Sequence, residues 1–161
     1  MNIKKYIALF LFLLPVLVFA PHPLDAQTAS EIDAMLRSEK VSAAALARFV
    51  LGAADLLPQG LSGHGAEEAA YDMATSNGWI KTGANESATL KDTAYIIMKA
   101  FDLKGGVFYS LFKNPRYAYR EMIYRNLISG HTDQAMQVTG ERLLLILDKT
   151  IRYTERQGGT K

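Results

Sequence analysis

Ala70-Tyr71-Asp72-Met73-Ala74-Thr75-Ser76-Asn77-Gly78-Trp79-Ile80 decides the fold, because the chain repeats its plan at Ala118-Tyr119-Arg120-Glu121-Met122-Ile123-Tyr124-Arg125-Asn126-Leu127-Ile128. Each stretch is a helical run that reaches a residue tolerant of positive φ, Gly78 in one and Asn126 in the other. A bulky apolar pair follows, Trp79-Ile80 or Leu127-Ile128, and then a glycine, Gly83 or Gly130. Beyond each loop a threonine, Thr89 or Thr139, opens another helix, and Ser42 opens a third of the same kind. Phe49, Ile96 and Ile146 stand seven residues after these caps, and Leu56, Leu103 and Tyr153 fourteen after them. A helix–loop–helix unit with one apolar face, used about two and a half times, buries that face only by packing on its neighbours.

Working outward, apolar residues recur at helical spacing through the rest of the chain. A short helix is expected over 30–39, with Ser30 as N-cap and Ile32, Met35 and Leu36 on one face. A second opens at Ser42 and carries Leu46, Phe49, Val50, Ala53 and Leu56 until Pro58 and Gly60 stop it. A glycine-rich loop spans 57–65, and a third helix spans 66–77. The fourth starts at Thr89, where Asp92 makes a near capping box; Ala94, Ile97, Met98 and Phe101 form its inner face, and Gly105-Gly106 ends it. Val107–Phe112 is too continuously apolar for one amphipathic face and reads as a helical turn, with core and interface roles both open. Pro115, capped by Asn114, begins a fifth helix that runs to about Arg125. The last begins at Thr139 and carries Leu143, Leu144, Ile146, Leu147 and Ile151. The pattern is all-α: a compact bundle of five to seven helices with weak helix–loop–helix repeats.

The N-terminus has another character. Lys4 and Lys5 precede an apolar run from Tyr6 to Ala20, and Pro21-His22-Pro23-Leu24-Asp25-Ala26 follows. This is the positive, apolar, small-residue order of a secretory signal peptide, and the run is shorter than the roughly 20 residues of a membrane span. Cleavage is expected after Ala26, with Ala20 as the alternative site; a transmembrane anchor follows only if the segment stays uncleaved. The expected layout is a signal peptide over 1–26, one helical domain over 27–157 and a frayed tail over 158–161. The destination is the periplasm, or secretion.

Setting aside Lys4, Lys5 and Asp25, the 18 basic and 16 acidic side chains become 16 and 15. That balance argues against a nucleic-acid partner. There is no cysteine, so neither a disulfide nor a lipid anchor nor thiol chemistry is available.

The repeat pattern resembles the S-layer homology family of extracytoplasmic repeats. The matching segments are Asn77-Gly78-Trp79-Ile80 with Thr89-Leu90-Lys91-Asp92, and Arg125-Asn126-Leu127-Ile128 with Val138-Thr139-Gly140-Glu141, within residues 42–153. The resemblance implies helical repeats that bind cell-wall polysaccharide. The family places arginine after the cap threonine, where this chain has Leu90 and Gly140, and only Asp92 approximates the acid that follows.

The densest polar–aromatic cluster is Pro115–Arg125. Arg116 and Arg120 are four apart on one helical face, and Tyr117 and Tyr124 lie two turns apart beside them. Arginine forks and tyrosine faces suit an anionic glycan or a partner's acidic surface, although tyrosines at a core edge would give the same pattern. Trp79 offers a stacking face for a sugar, or a plug between helices as Leu127 would be. His64 and His131 fall in loops without the converging ligands of a metal site or the oriented partner of a catalytic base. No phosphate loop, serine elbow or zinc motif is present. The expected function is therefore non-catalytic, with no cofactor and no metal: an exported interaction module that binds an envelope protein through Arg116, Tyr117, Arg120 and Tyr124. A cell-wall polysaccharide- or peptidoglycan-binding module is the alternative, and a small exported enzyme the second.

Overall fold

The computed structural model describes residues 23–58, 60–130 and 133–158, and over these the chain is all-helical. The helices, in order, are α1 (Pro23–Leu36), α2 (Ala43–Ala53), α3 (Gly63–Ser76), α4 (Leu90–Ala100), α5 (Val107–Phe112), α6 (Pro115–Tyr124) and α7 (Gly140–Gly158). No β-strand occurs among the described residues, only the isolated bridges Ser42–Ser87 and Thr89–Gln137. No helix among them is long and apolar enough to cross a membrane. Helix α2 packs against α3, α4 and α7, while α4 packs against α6 and α1 against α7.

The caps form where the residue types call for them. Ser42 Oγ accepts the Ala45 N–H at 3.1 Å, and Asn114 Oδ1 accepts the Tyr117 N–H at 3.1 Å. At Thr89 the capping box closes both ways: the hydroxyl accepts the Asp92 N–H, and Asp92 Oδ2 accepts the Thr89 N–H at 3.2 Å. Thr139 Oγ1 accepts the Arg142 N–H at 3.3 Å. Each such bond satisfies an amide that the helix leaves open, for about 1 kcal/mol.

The residue before each of three caps takes part in a closed ring of backbone hydrogen bonds. Val41 N–H donates to Val138 C=O at 3.0 Å, Val138 N–H to Ala88 C=O at 3.0 Å, and Ala88 N–H to Val41 C=O at 2.8 Å. All three residues are buried. Buried backbone groups must find partners, and here three loops supply one another's. The ring gathers the starts of α2, α4 and α7 at one end of the core. Leu46, Val50, Leu90, Ile97, Leu143 and Leu147 descend from it on the buried faces of these helices. Among the described residues the buried cluster runs from Met35 to Leu147.

The helix ends follow one scheme. The Ala74 carbonyl accepts from Trp79 N–H at 2.8 Å and Ile80 N–H at 3.3 Å, and the Met122 carbonyl accepts from Leu127 at 2.9 Å and Ile128 at 3.2 Å. Gly78 at φ 69° and Asn126 at φ 57° make these turns, as the sequence predicts.

Several boundaries differ from expectation. Helix α1 begins at Pro23, which suits a first helical position, so Ser30 is interior rather than a cap. Of its expected inner face only Met35 is buried; Ile32 and Leu36 are exposed. Residues 1–22 lie outside the described residues, and α1 starts ahead of the expected cleavage after Ala26. Helices α2 and α4 stop at Ala53 and Ala100, earlier than Pro58 and Gly105, because Asp55 at φ 55° and Asp102 at φ 46° already turn the chain. Helix α3 starts at Gly63, which places exposed His64 in its first turn and not in a loop. His131 lies outside the described residues.

Gly140, at the start of α7, has a steric reason to lack a side chain. A Cβ there would lie 1.6 Å from the Met35 carbonyl oxygen at the end of α1. The same approach lets Gly140 N–H donate to Ser38 C=O at 2.8 Å.

Candidate functional site

Helix α5 and the outer face of α6 form the candidate site. The α5 turn exists because Gly106 begins it in extended backbone and Lys113, at φ 41°, ends it. Its inward anchor is Tyr109, buried and fitted against Gly105, where a Cβ would come within 2.4 Å of the tyrosine ring. Burial pushes the Tyr109 phenol up to about 12, with smaller contributions from Tyr95 and Asp102. The other large side chains of α5 point out: Val107 is 80% exposed, Phe108 63%, Leu111 72% and Phe112 52%.

A latch holds this turn. Glu121 Oε2 accepts the Gly106 N–H at 3.0 Å, and Glu121 Oε1 accepts from Arg125 Nε at 2.9 Å. Arg125 then donates Nη1 to the Tyr153 hydroxyl at 3.0 Å and Nη2 to the Lys104 carbonyl, tying α6 to α7 and to the linker before α5. Both members of the ion pair are largely buried.

Of the site residues expected from sequence, Arg116, Tyr117, Arg120 and Tyr124 all lie on α6. Tyr117 is half-buried and stacks on Phe112 at 5.1 Å between ring centroids and on Phe108 at 5.9 Å. The Arg120 guanidinium lies over the Tyr117 ring, 6.0 Å from its centroid. Tyr124 is exposed, and with Tyr117 and Arg120 it lines a cleft of about 290 Å³ against Val107 and Phe108. Trp79 stands apart, half-buried against the core after α3 and absent from the walls of this cleft.

Arg116 and Arg120 differ from every other arginine in the chain. Neither makes a hydrogen bond or an ion pair among the described residues. By contrast Arg37, Arg48, Arg125 and Arg152 each pair with an acid, and Arg142 and Arg156 are hydrogen-bonded. The Lys104 and Lys113 ammonium groups, at either end of α5, are likewise unpaired among the described residues.

Sequence reasoning left Phe108 and Phe112 open between core and interface, and missed the Glu121–Arg125 latch. The available signal was the position of Lys104 and Lys113 on either side of a continuous apolar run.

A second groove, of about 460 Å³, runs between α1, α2 and α7 and is lined by Phe49, Leu144, Leu147 and Ile151. In it Arg48 Nη2 meets Glu31 at 3.2 Å and Asp148 meets Arg152 at 3.0 Å, while Arg48 Nε is buried without a hydrogen-bond partner among the described residues. Among the described residues no group of three or more His, Asp or Glu side chains is placed to hold a metal.

Fold and candidate site together define a helical bundle with an exposed aromatic and basic surface. No protein-family model matches the chain, and neither a curated protein nor a solved structure matches it.

Proposed function

We propose that this protein is a non-catalytic interaction module of the cell envelope that works through the α5–α6 surface. The carrying observation is the juxtaposition of four exposed apolar side chains on α5 with Arg116 and Arg120, the two arginines that make no hydrogen bond or ion pair among the described residues. An apolar patch rimmed by polar groups is the usual mark of an interaction site, and Tyr and Arg are enriched among the residues that dominate binding. The sequence order of residues 1–26 supports export, with the periplasm as the place of action.

The reading is tested by photo-crosslinking in the native envelope, with benzoylphenylalanine at Tyr117 or Tyr124 and, as control, at exposed Glu68 on α3. Discrete adducts from the α6 positions and none from Glu68 are expected. Equal labelling from all three positions, or no adduct to protein or lipid from any of them, overturns the reading.

A second reading is cell-wall polysaccharide binding, as the S-layer homology resemblance implies. The hydrogen-bonded ring before Ser42, Thr89 and Thr139 supports a common plan for the three capped helices. Trp79 is half-buried against the core, and under this reading sugar contacts fall to Trp79, Arg120 and Tyr124. Sedimentation with purified sacculi, lost on Arg120→Ala with the fold intact, is the expected result.

A further inference from the structure

We infer that the α5–α6 surface, taken as the contact site proposed above, docks on an anionic phospholipid bilayer, with the α5 side chains entering the boundary between headgroups and acyl chains. Val107, Phe108, Leu111 and Phe112 come from six consecutive residues and turn outward together, while only Tyr109 turns in. Such a turn needs no shaped pocket in a partner. Its tips need only a fluid apolar layer, of the 5–10 Å depth that interfacial helices reach.

The groups around the turn are those an interface calls for. Tyr117 and Tyr124 are amphipathic rings at its edge, suited to headgroup level. Lys104 and Lys113 stand just before and just after α5, and Arg116 and Arg120 on the adjoining face of α6. None of these four cations has an ion pair among the described residues. Lipid phosphates supply the missing acceptors, which arginine binds through paired N–H donors. The acids nearby do not cancel this charge. Glu121 is held by Arg125 and Gly106, and the other residues that line the α5–α6 cleft carry no carboxylate.

Charge also argues against a second copy as the occupant. Two such surfaces face to face would bring eight unpaired cations together in a closing, low-dielectric gap, where like charges repel strongly. A protein partner would need an apolar pocket with an acidic rim, and nothing in the outward-turned α5 side chains requires that shape.

The test is co-sedimentation of the mature protein, purified from the envelope, with sucrose-loaded vesicles. One set is phosphatidylcholine alone, the other phosphatidylcholine and phosphatidylglycerol in equal parts. Binding is expected only to the second set. Each arginine charge removed is expected to weaken binding about fivefold, so Arg116→Gln with Arg120→Gln lowers the partition coefficient about 25-fold. Phe108→Ser with Leu111→Ser abolishes binding, Lys91→Gln changes little, and unchanged circular dichroism confirms the fold of each variant. No binding to either set, equal binding to both, or binding indifferent to these substitutions overturns the inference. Crosslinking from Phe112 in the native envelope separates the two levels. Discrete protein adducts without vesicle binding remove the lipid and leave the contact surface standing; neither adducts nor vesicle binding removes both.

Discussion

Replacing Glu121 by Gln tests whether the α5 turn is held from within. The carboxylate serves two donors at once, Gly106 N–H at 3.0 Å and Arg125 Nε at 2.9 Å. Glutamine keeps the shape but has a single acceptor oxygen, and its NH₂ must then face one of those donors. One hydrogen bond is lost outright, and the other loses its anionic acceptor. Hydrogen bonds to charged groups contribute about 1.5–3 kcal/mol each. Removing one member of a fully buried pair costs about 3–5 kcal/mol. The two side chains retain 14% and 16% exposure, so water recovers part of that loss. The expected cost is about 2 kcal/mol of unfolding free energy. It is read from urea denaturation followed by far-UV circular dichroism, with an unchanged slope. Glu141→Gln, an exposed acid in the first turn of α7, serves as control and costs a few tenths of a kcal/mol at most. Hydrogen exchange gives the local readout: the Gly106 amide is expected to lose more protection than the α4 amides. Arg125→Met costs a similar amount, and the double variant costs clearly less than the sum because both act on one network. A loss under about 0.5 kcal/mol, or strict additivity, would refute the latch.

Other perturbations probe other parts of the fold. Gly140→Ala drives a methyl group into the Met35 carbonyl, a backbone atom that cannot swing aside, and should cost about 3 kcal/mol or more in thermal or chemical melts. Thr89→Ala removes the hydroxyl of the capping box and should cost about 1–2 kcal/mol, largely restored by Thr89→Ser. Tyr109 has its folded pKa raised to about 12 from 10.0, so the native state holds its proton longer than the unfolded chain. Its contribution is therefore complete below pH 10.0 and is lost as pH rises toward about 12. About 2 kcal/mol should disappear over that window, and Tyr109→Phe should flatten the decline.

Much of the fold was legible because it rests on local chemistry. Ser42, Thr89 and Asn114 cap helices since their short side chains reach an amide three residues on. Gly78 and Asn126 were readable as left-handed turns because few other residues tolerate positive φ. Asp55 and Asp102 were passed over for the stronger breakers downstream, although aspartate also visits that region. What the sequence could not show is what one loop does to another. The ring through Val41, Ala88 and Val138 consists of backbone groups, which have no signature in residue type. The site was half legible for the same reason. Arg116, Tyr117, Arg120 and Tyr124 share a helix, so their spacing gave them away. Phe108 and Phe112 meet Tyr117 only through the turn at Lys113, a contact between elements.

The outward-facing α5 side chains are held in place rather than left over. A loose apolar turn would gain about 1.5–3 kcal/mol for each large side chain it could bury, and the chain has Gly105 and Gly106 on hand as hinges. Yet Tyr109 pins the turn to the core, Lys113 adopts an unfavourable positive φ to end it, and Glu121 and Arg125 fasten its start to α6 and α7. These features oppose the collapse that hydrophobicity alone would favour. They also bring Phe108 and Phe112 onto Tyr117, which sets the Arg120 guanidinium beside the exposed apolar tips. On the docking proposed above, contact energy from the tips and charge energy from the arginines would be delivered in the same encounter. Loosening the latch should therefore weaken binding even where every contacting side chain is intact, since a mobile turn must be ordered again at each encounter. That makes Glu121→Gln a test of function as well as of stability: its vesicle binding should fall while Arg116, Arg120, Phe108 and Leu111 all remain.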